Sequence, residues 1–176
     1  TISDSITIIG NEAFKGCSNL REVKIGTKLQ KIGVSAFLSC RKLQKINLPN
    51  SIIEISKHAF SNCISLEQIL LPDNLNKIES YAFYSCEKLR NIQIPNKVET
   101  IGESAFAFCR NLYNISLPLN LKSIEDKAFF SCTKLEKITL PTSIEFLGSF
   151  SFSLCIALTS LVIPYSITKI NNSVFK

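Results

Sequence analysis

The chain has 176 residues, is 45% hydrophobic and carries a formal charge of +6, which excludes a disordered segment and allows one sizeable core. Its cations are interspersed with acids and no basic run exceeds Arg41-Lys42, so it lacks the electrostatic footprint of a nucleic-acid binder. It has no apolar run of about 18 residues to cross a membrane and no charged-then-apolar leader. With no Met even at position 1, it is expected to be a segment of a longer protein.

From the N-terminus, Ile2, Ile6, Ile9, Ala13, Phe14 and Cys17 open a pattern that never loses register. Phe stands at 14, 37, 60, 83, 106, 129, 152 and 175, always 23 residues apart. The seven cysteines, 17, 40, 63, 86, 109, 132 and 155, keep the same step, and a Leu follows each by three. All six prolines (49, 72, 95, 118, 141, 164) share one place, taken by Gly26 in the first unit. The unit reads L-x-x-I-x-L-P-x-x-L-x-x-I-x-x-x-A-F-x-x-C-x-x. A strict period of this length with this leucine spacing predicts a solenoid of leucine-rich type.

Residues 43–65 serve for every unit. In "LQKINLP" Ile46 points in, Asn47 out and Leu48 in, the alternation of a short strand with one buried face. Pro49 cannot donate to a ladder and ends it. In "NSIIEI" Ile52 and Ile55 return to the core from a tight turn or a second extended segment. "SKHAFSNC" then buries Ala59, Phe60 and Cys63, a spacing that suits one turn of α or 3₁₀ helix.

Stacking such coils about 4.8 Å apart makes a phenylalanine column and a cysteine column. Neighbouring cysteines fall within disulfide reach, but equivalent side chains on parallel coils point the same way and seven is odd. Free, buried thiols are expected. A zinc site needs converging ligands; the sequence has no C-x₂-C pair and one His, His58, so no metal or cofactor is expected.

The last unit is the least regular. Ser151 replaces Ala, Leu147 replaces Ile, and Phe146, Phe150 and Leu154 occupy polar places. Local repacking is favoured over an apolar contact patch there. One domain over 1–176 is expected, about seven repeats cut at both ends. Its uncapped edges invite self-association.

The unit, above all "LP" after the strand and "AFxxC" later, resembles the BspA-like class of leucine-rich repeats over nearly the whole chain. The resemblance implies a β-dominated α/β-type solenoid. Its expected form is a right-handed superhelix with a concave parallel sheet, and short helical or 3₁₀ turns and extended segments opposite. It also implies adhesion to host proteins or other cells, a cell-surface or secreted location, and no catalytic residues. A cytoplasmic interaction scaffold is the alternative, because seven reduced thiols fit a reducing compartment. The glycine common after the second Ile of the family unit stands only at 10, 33, 102 and 148. Ser56, Glu79, Glu125 and Asn171 are expected to avoid a positive φ in its place, or to take it at a cost.

No triad or carboxylate pair forms by sequence, so no enzyme is expected. His58 shares its column with Glu12, Ser35, Tyr81, Ser104, Lys127 and Phe150, a mixture that reads as solvent-facing. The candidate site is the outward strand face, with a neutral amide-rich centre between lysine-richer ends. Leu70 is apolar at a solvent-facing position, and Tyr113 is of a type enriched at binding hot spots. The expected protein-binding residues are Gln68, Leu70, Asn91, Gln93, Tyr113 and Asn114, receiving a protein ligand such as a host extracellular protein. Asn114-Ile115-Ser116 and Asn171-Asn172-Ser173 fit the glycosylation sequon; a glycan on Asn114 would compete with that use.

Overall fold

A computed structural model describes residues 1–176. It contains no helix, only eleven short strands. In chain order they are β1 (Ile8–Ile9), β2 (Glu22–Val23), β3 (Lys31–Ile32), β4 (Lys45–Asn47), β5 (Glu54–Ile55), β6 (Gln68–Leu70), β7 (Asn91–Gln93), β8 (Thr100–Ile101), β9 (Asn114–Ser116), β10 (Ser123–Ile124) and β11 (Phe146–Leu147). All pairings are parallel and join residues 23 apart, for example Ile46 with Ile69 and Ile92 with Ile115. The chain is a β-solenoid in which each 23-residue unit makes one coil.

Two parallel sheets run along it. The first has the order β2-β4-β6-β7-β9 and continues through bridges from Asn114 to Lys137 and from Lys137 to Ser160. The second joins β1-β3-β5 to β8-β10-β11 through single bridges at Ile78. The segment holding Ile52 and Ile55 is therefore a second strand column rather than a tight turn alone.

The third side corrects the expectation of helical or 3₁₀ turns. The residues two before and two after each periodic Phe from Phe14 to Phe152 take left-handed φ, as at His58 (58°) and Asn62 (58°). A helix needs consecutive residues near −60°, so a left-handed residue every few positions breaks it. Successive turns form instead: Ala59 N–H donates to Ser56 O (3.1 Å), Ser61 to His58 O (3.1 Å) and Cys63 to Phe60 O (3.2 Å). The intervening amides leave the coil. Those of His58, Phe60 and Asn62 donate to Ser80, Ala82 and Tyr84 O in the next coil (3.2, 2.8 and 2.7 Å). Each of these donors thus has a partner either within its turn or one coil on, as buried backbone requires.

The left-handed column also corrects the reading of His58 as purely solvent-facing. His58 is half-buried, and its equivalents Ser35 and Ser104 are buried. The glycines after the second Ile do not have positive φ; only Gly16 does. Gly102 is there for space: a Cβ would lie 2.6 Å from Ser80 N and 2.7 Å from Glu79 C.

The core follows the repeat. Phe37, Phe60, Phe83, Phe106 and Phe129 are fully buried, and rings from Phe14 to Phe175 stack at 5.0–5.9 Å with interplanar angles of 12° or less. At such separations near-parallel rings are offset, the favoured stacked arrangement. Beside them stand the thiols. Cys63 donates to Phe37 O at 3.2 Å, and each later Cys does the same to the Phe one coil before its own. Cys17 departs from the expected column: it is exposed. At the other end, Ile156 and Phe175 in the last coil are exposed as well.

Ser151 shows the column's intolerance of polarity. It is fully buried where the six preceding units carry Ala, and its hydroxyl finds no hydrogen-bond partner. Ser151→Ala removes an unsatisfied group at almost no loss of volume. We expect a gain of about 1–2 kcal/mol, seen as a higher urea midpoint at unchanged slope. An unchanged or lowered midpoint would show that the hydroxyl is satisfied.

Candidate functional site

The first sheet turns Val23, Ile46, Ile69, Ile92 and Ile115 inward, so the residues on either side of each face solvent. One outward row is Lys45, Gln68, Asn91, Asn114 and Lys137, each in register with the next. The second pairs Asn47 with Leu70 and Gln93 with Ser116. All six expected residues lie on this side of the molecule. Gln68, Gln93 and Asn114 are exposed, Leu70 is 81% exposed and Tyr113 is 47% exposed.

Two groupings emerge among them. Asn91 is half-buried, and its Nδ2 donates to Tyr113 Oη at 3.1 Å. That bond ties the ring to the row of amides. Leu70 and Gln93 line a separate hollow of about 270 Å³ with Asn50, Ile69, Leu71, Asp73 and Pro95. The arrangement offers an apolar knob, a tethered aromatic ring and amides that both donate and accept. It presents no nucleophile with a base beside it, and no cluster of His, Cys, Asp and Glu takes metal-ligand geometry.

The perturbed acids and bases lie elsewhere and serve packing. Lys31 Nζ, 2.8 Å from Glu54, holds that carboxylate below its ordinary range and joins two coils of the second sheet. Burial, with the Lys57 charge beside it, lowers the pKa of His58, which stacks on Tyr81 at 4.7 Å. Tyr81 Oη donates to Glu103 at 2.6 Å, and its pKa is raised by that bond. Of the two sequon asparagines, Asn114 is exposed, whereas Asn171 donates its Nδ2 to Leu147 O at 2.7 Å.

Two features escape a reading of the sequence. On the turn side, Tyr81, Tyr84, Phe108 and Phe130 form a chain of tilted and edge-on rings at 5.3–5.7 Å. The signal is a size alternation after each core Phe: Leu38, Ser61, Tyr84, Ala107, Phe130, Ser153. In that column Tyr84 and Phe130 each stand between small residues of the neighbouring coils, which leaves room for each large ring to spread sideways. The second feature is a basic hollow of about 370 Å³ beside the sheet, lined by Glu67, Lys88, Arg90, Asn111, Tyr113 and Lys134. Its members stand one before and one after the periodic Leu of successive units, visible only when the chain is written in rows of 23.

Comparison with known proteins gives a consistent picture. The family model of the BspA type leucine rich repeat region matches in six copies, over residues 1–113 and 76–176. No curated protein matches the chain. Among solved structures, a leucine rich repeat protein of T. pallidum is 35% identical, with 88% of this chain and 72% of that one covered and a TM-score of 0.82. A leucine-rich repeat protein of Bacteroides ovatus is 34% identical over 93% of this chain and 48% of its own, with a TM-score of 0.70. A leucine rich cell surface protein of Faecalibacterium prausnitzii is 30% identical over 91% and 37%, with a TM-score of 0.60. The chain therefore spans less than half of the last two.

Proposed function

The chain belongs to the BspA-type leucine-rich repeat family, and from that premise we propose that it is a non-catalytic protein-binding module, one domain of about seven repeats, that receives its partner on the face of the first sheet. Leucine-rich repeats are in general protein-interaction modules, and an extended repeat surface is what they use. The observation that carries the reading is Leu70, an apolar side chain 81% exposed at a strand position, with the tethered Tyr113 on the same side. A rigid aromatic and an apolar knob amid hydrogen-bonding amides supply hot-spot chemistry within a polar surround.

The partner is a protein outside the cell, and the module acts in adhesion or recognition at a cell surface; the F. prausnitzii relative, a cell surface protein, supports this. The thiols are the observation on the side of an intracellular scaffold. The burial of six of the seven weakens it, because a thiol that oxidants cannot reach survives in either compartment. Self-association through the apolar end coils is a second expected behaviour.

Leu70→Ala with Tyr113→Ala tests the face. The immobilised chain should retain protein from solubilised extracellular matrix. The double variant should lose at least about thirtyfold in affinity, as two hot-spot truncations near 1 kcal/mol or more each imply. Equal retention by variant and parent would move the binding surface elsewhere.

A further inference from the structure

We propose that the basic hollow is a socket for the carboxylate of an acidic side chain on the partner protein, an inference that rests on the reading of this side as the binding face. The hollow adjoins that face directly. Glu67, Arg90 and Tyr113 immediately precede β6, β7 and β9, and Tyr113 belongs to both surfaces.

The donors are unspent. The ion pairs of the chain use Lys15, Lys31, Lys77 and Lys122, so Lys88, Arg90 and Lys134 have no carboxylate of their own. Asn111 forms a fixed floor: its Nδ2 donates to Glu87 O at 2.7 Å, and its Oδ1 accepts from Lys134 Nζ at 2.7 Å. That bond uses one of three ammonium protons on Lys134 and leaves two. Tyr113 Oη accepts from Asn91, so its own proton remains to be given. Four donor groups thus surround one space that holds a single acid, Glu67. A carboxylate accepts through both oxygens and donates nothing, and the Arg fork matches it in two bonds. It would also relieve the mutual repulsion of three cations held around one hollow.

The occupant is a protein side chain rather than a polyanion. The basic array ends after three coils: the same two columns continue as Ser65 on one side, and as Glu136 and Ala157 on the other. A nucleic acid needs a basic track with stacking platforms, and Tyr113 is the only ring here.

The probe is a fluorescent oligoglutamate peptide, read by anisotropy. The chain should bind it at about 0.01 M salt and lose most of that affinity by about 0.15 M, as the Debye length falls from ~30 to ~8 Å. Lys88→Ala with Arg90→Ala should weaken binding at least about fivefold, the loss of two exposed ion pairs. Lys28→Ala with Lys169→Ala has the same net charge and changes residues far from the hollow in the coil; it should change little. Equal weakening by the two doubles would overturn the socket in favour of diffuse attraction. So would no binding at low salt, or tighter binding of a single-stranded oligonucleotide. If the peptide fails while L70A/Y113A still abolishes matrix retention, the socket is wrong and the face stands. If K88A/R90A abolishes peptide binding while Leu70→Ala alone retains matrix protein normally, the socket stands and the apolar knob is not part of the binding face.

Discussion

Phe106→Ala should cost about 4 kcal/mol, a large share of the roughly 5–15 kcal/mol that stabilises an ordinary domain. Phe106 is fully buried, and its ring stacks on Phe83 (5.3 Å) and Phe129 (5.5 Å) at interplanar angles of 4° and 3°. Truncation removes the ring's transfer energy, opens a cavity and severs two aromatic contacts worth about 0.5–1.5 kcal/mol each. The solenoid geometry makes the damage unequal along the chain. A coil contacts only its neighbours, so stability is a sum of coil terms and nearest-neighbour interfaces. Phe106 supports two interfaces. Phe14 is half-buried and stacks on Phe37 alone, so Phe14→Ala should cost about 1–2 kcal/mol. Urea unfolding of both variants checks this, with Phe106→Leu as the control that keeps most of the volume. Equal losses at 106 and 14 would mean that the column does not couple the coils. A split transition in Phe106→Ala would mean that the halves on either side of it melt separately, as a one-dimensional array allows.

The phenylalanine and cysteine columns are legible in the amino-acid sequence alone. Phe, Cys, Leu and Pro recur at fixed places because each coil puts the same pressure on the same position: fill the centre, cover the next ring, end the strand. The sheet face is legible for the same reason, since alternation around Ile69 leaves Gln68 and Leu70 outside. The turn side is not. Ala59, Phe60 and Cys63 have helical spacing, and the left-handed residues that forbid a helix leave only a negative trace. The columns of His58 and Asn62 hold no Val, Ile or Thr in any unit, and β-branched residues are the ones a positive φ excludes most strongly. The basic hollow is hidden because its members come from four successive units, with Lys134 44 and 46 residues beyond Arg90 and Lys88, a separation at which local charge patterning shows nothing. The six expected site residues fall into two groups: Gln68, Asn91 and Asn114 in one register with Tyr113 hydrogen-bonded to Asn91, and Leu70 with Gln93 along a separate hollow.

The cysteine column should make the protein fail steeply in alkali. Burial pushes the Cys40 thiol up to about 11 and those of Cys109 and Cys155 to about 12, and drives Cys63, Cys86 and Cys132 well above the ordinary value of 9.0. The folded pKa values are raised, so the stabilisation they represent is complete below pH 9.0. Above that the unfolded chain releases its thiol protons while the folded chain keeps them, and stability falls until the folded thiols titrate in turn. Each thiol contributes a slope of about 1.4 kcal/mol per pH unit, so the five raised furthest, Cys63 to Cys155, together approach 7. With about 5–15 kcal/mol to lose, the chain should unfold within roughly one to two pH units above 9.0, faster than an equivalent solenoid with alanine in that column. Circular dichroism against pH should show one steep transition, with thiolate absorbance appearing at the same point. Below it, a thiol reagent should reach Cys17, the one exposed cysteine, and should reach the other six only on unfolding. Cys86→Ala with Cys109→Ala should reduce the steepness by about two-fifths, even if the variant is less stable at neutral pH, because slope and midpoint are read separately. More than one thiolate per chain appearing before the sheet signal is lost would mean that the column admits hydroxide while folded. An unchanged slope in the double variant would mean that lysine and tyrosine ionisation, rather than the thiols, governs the alkaline limit.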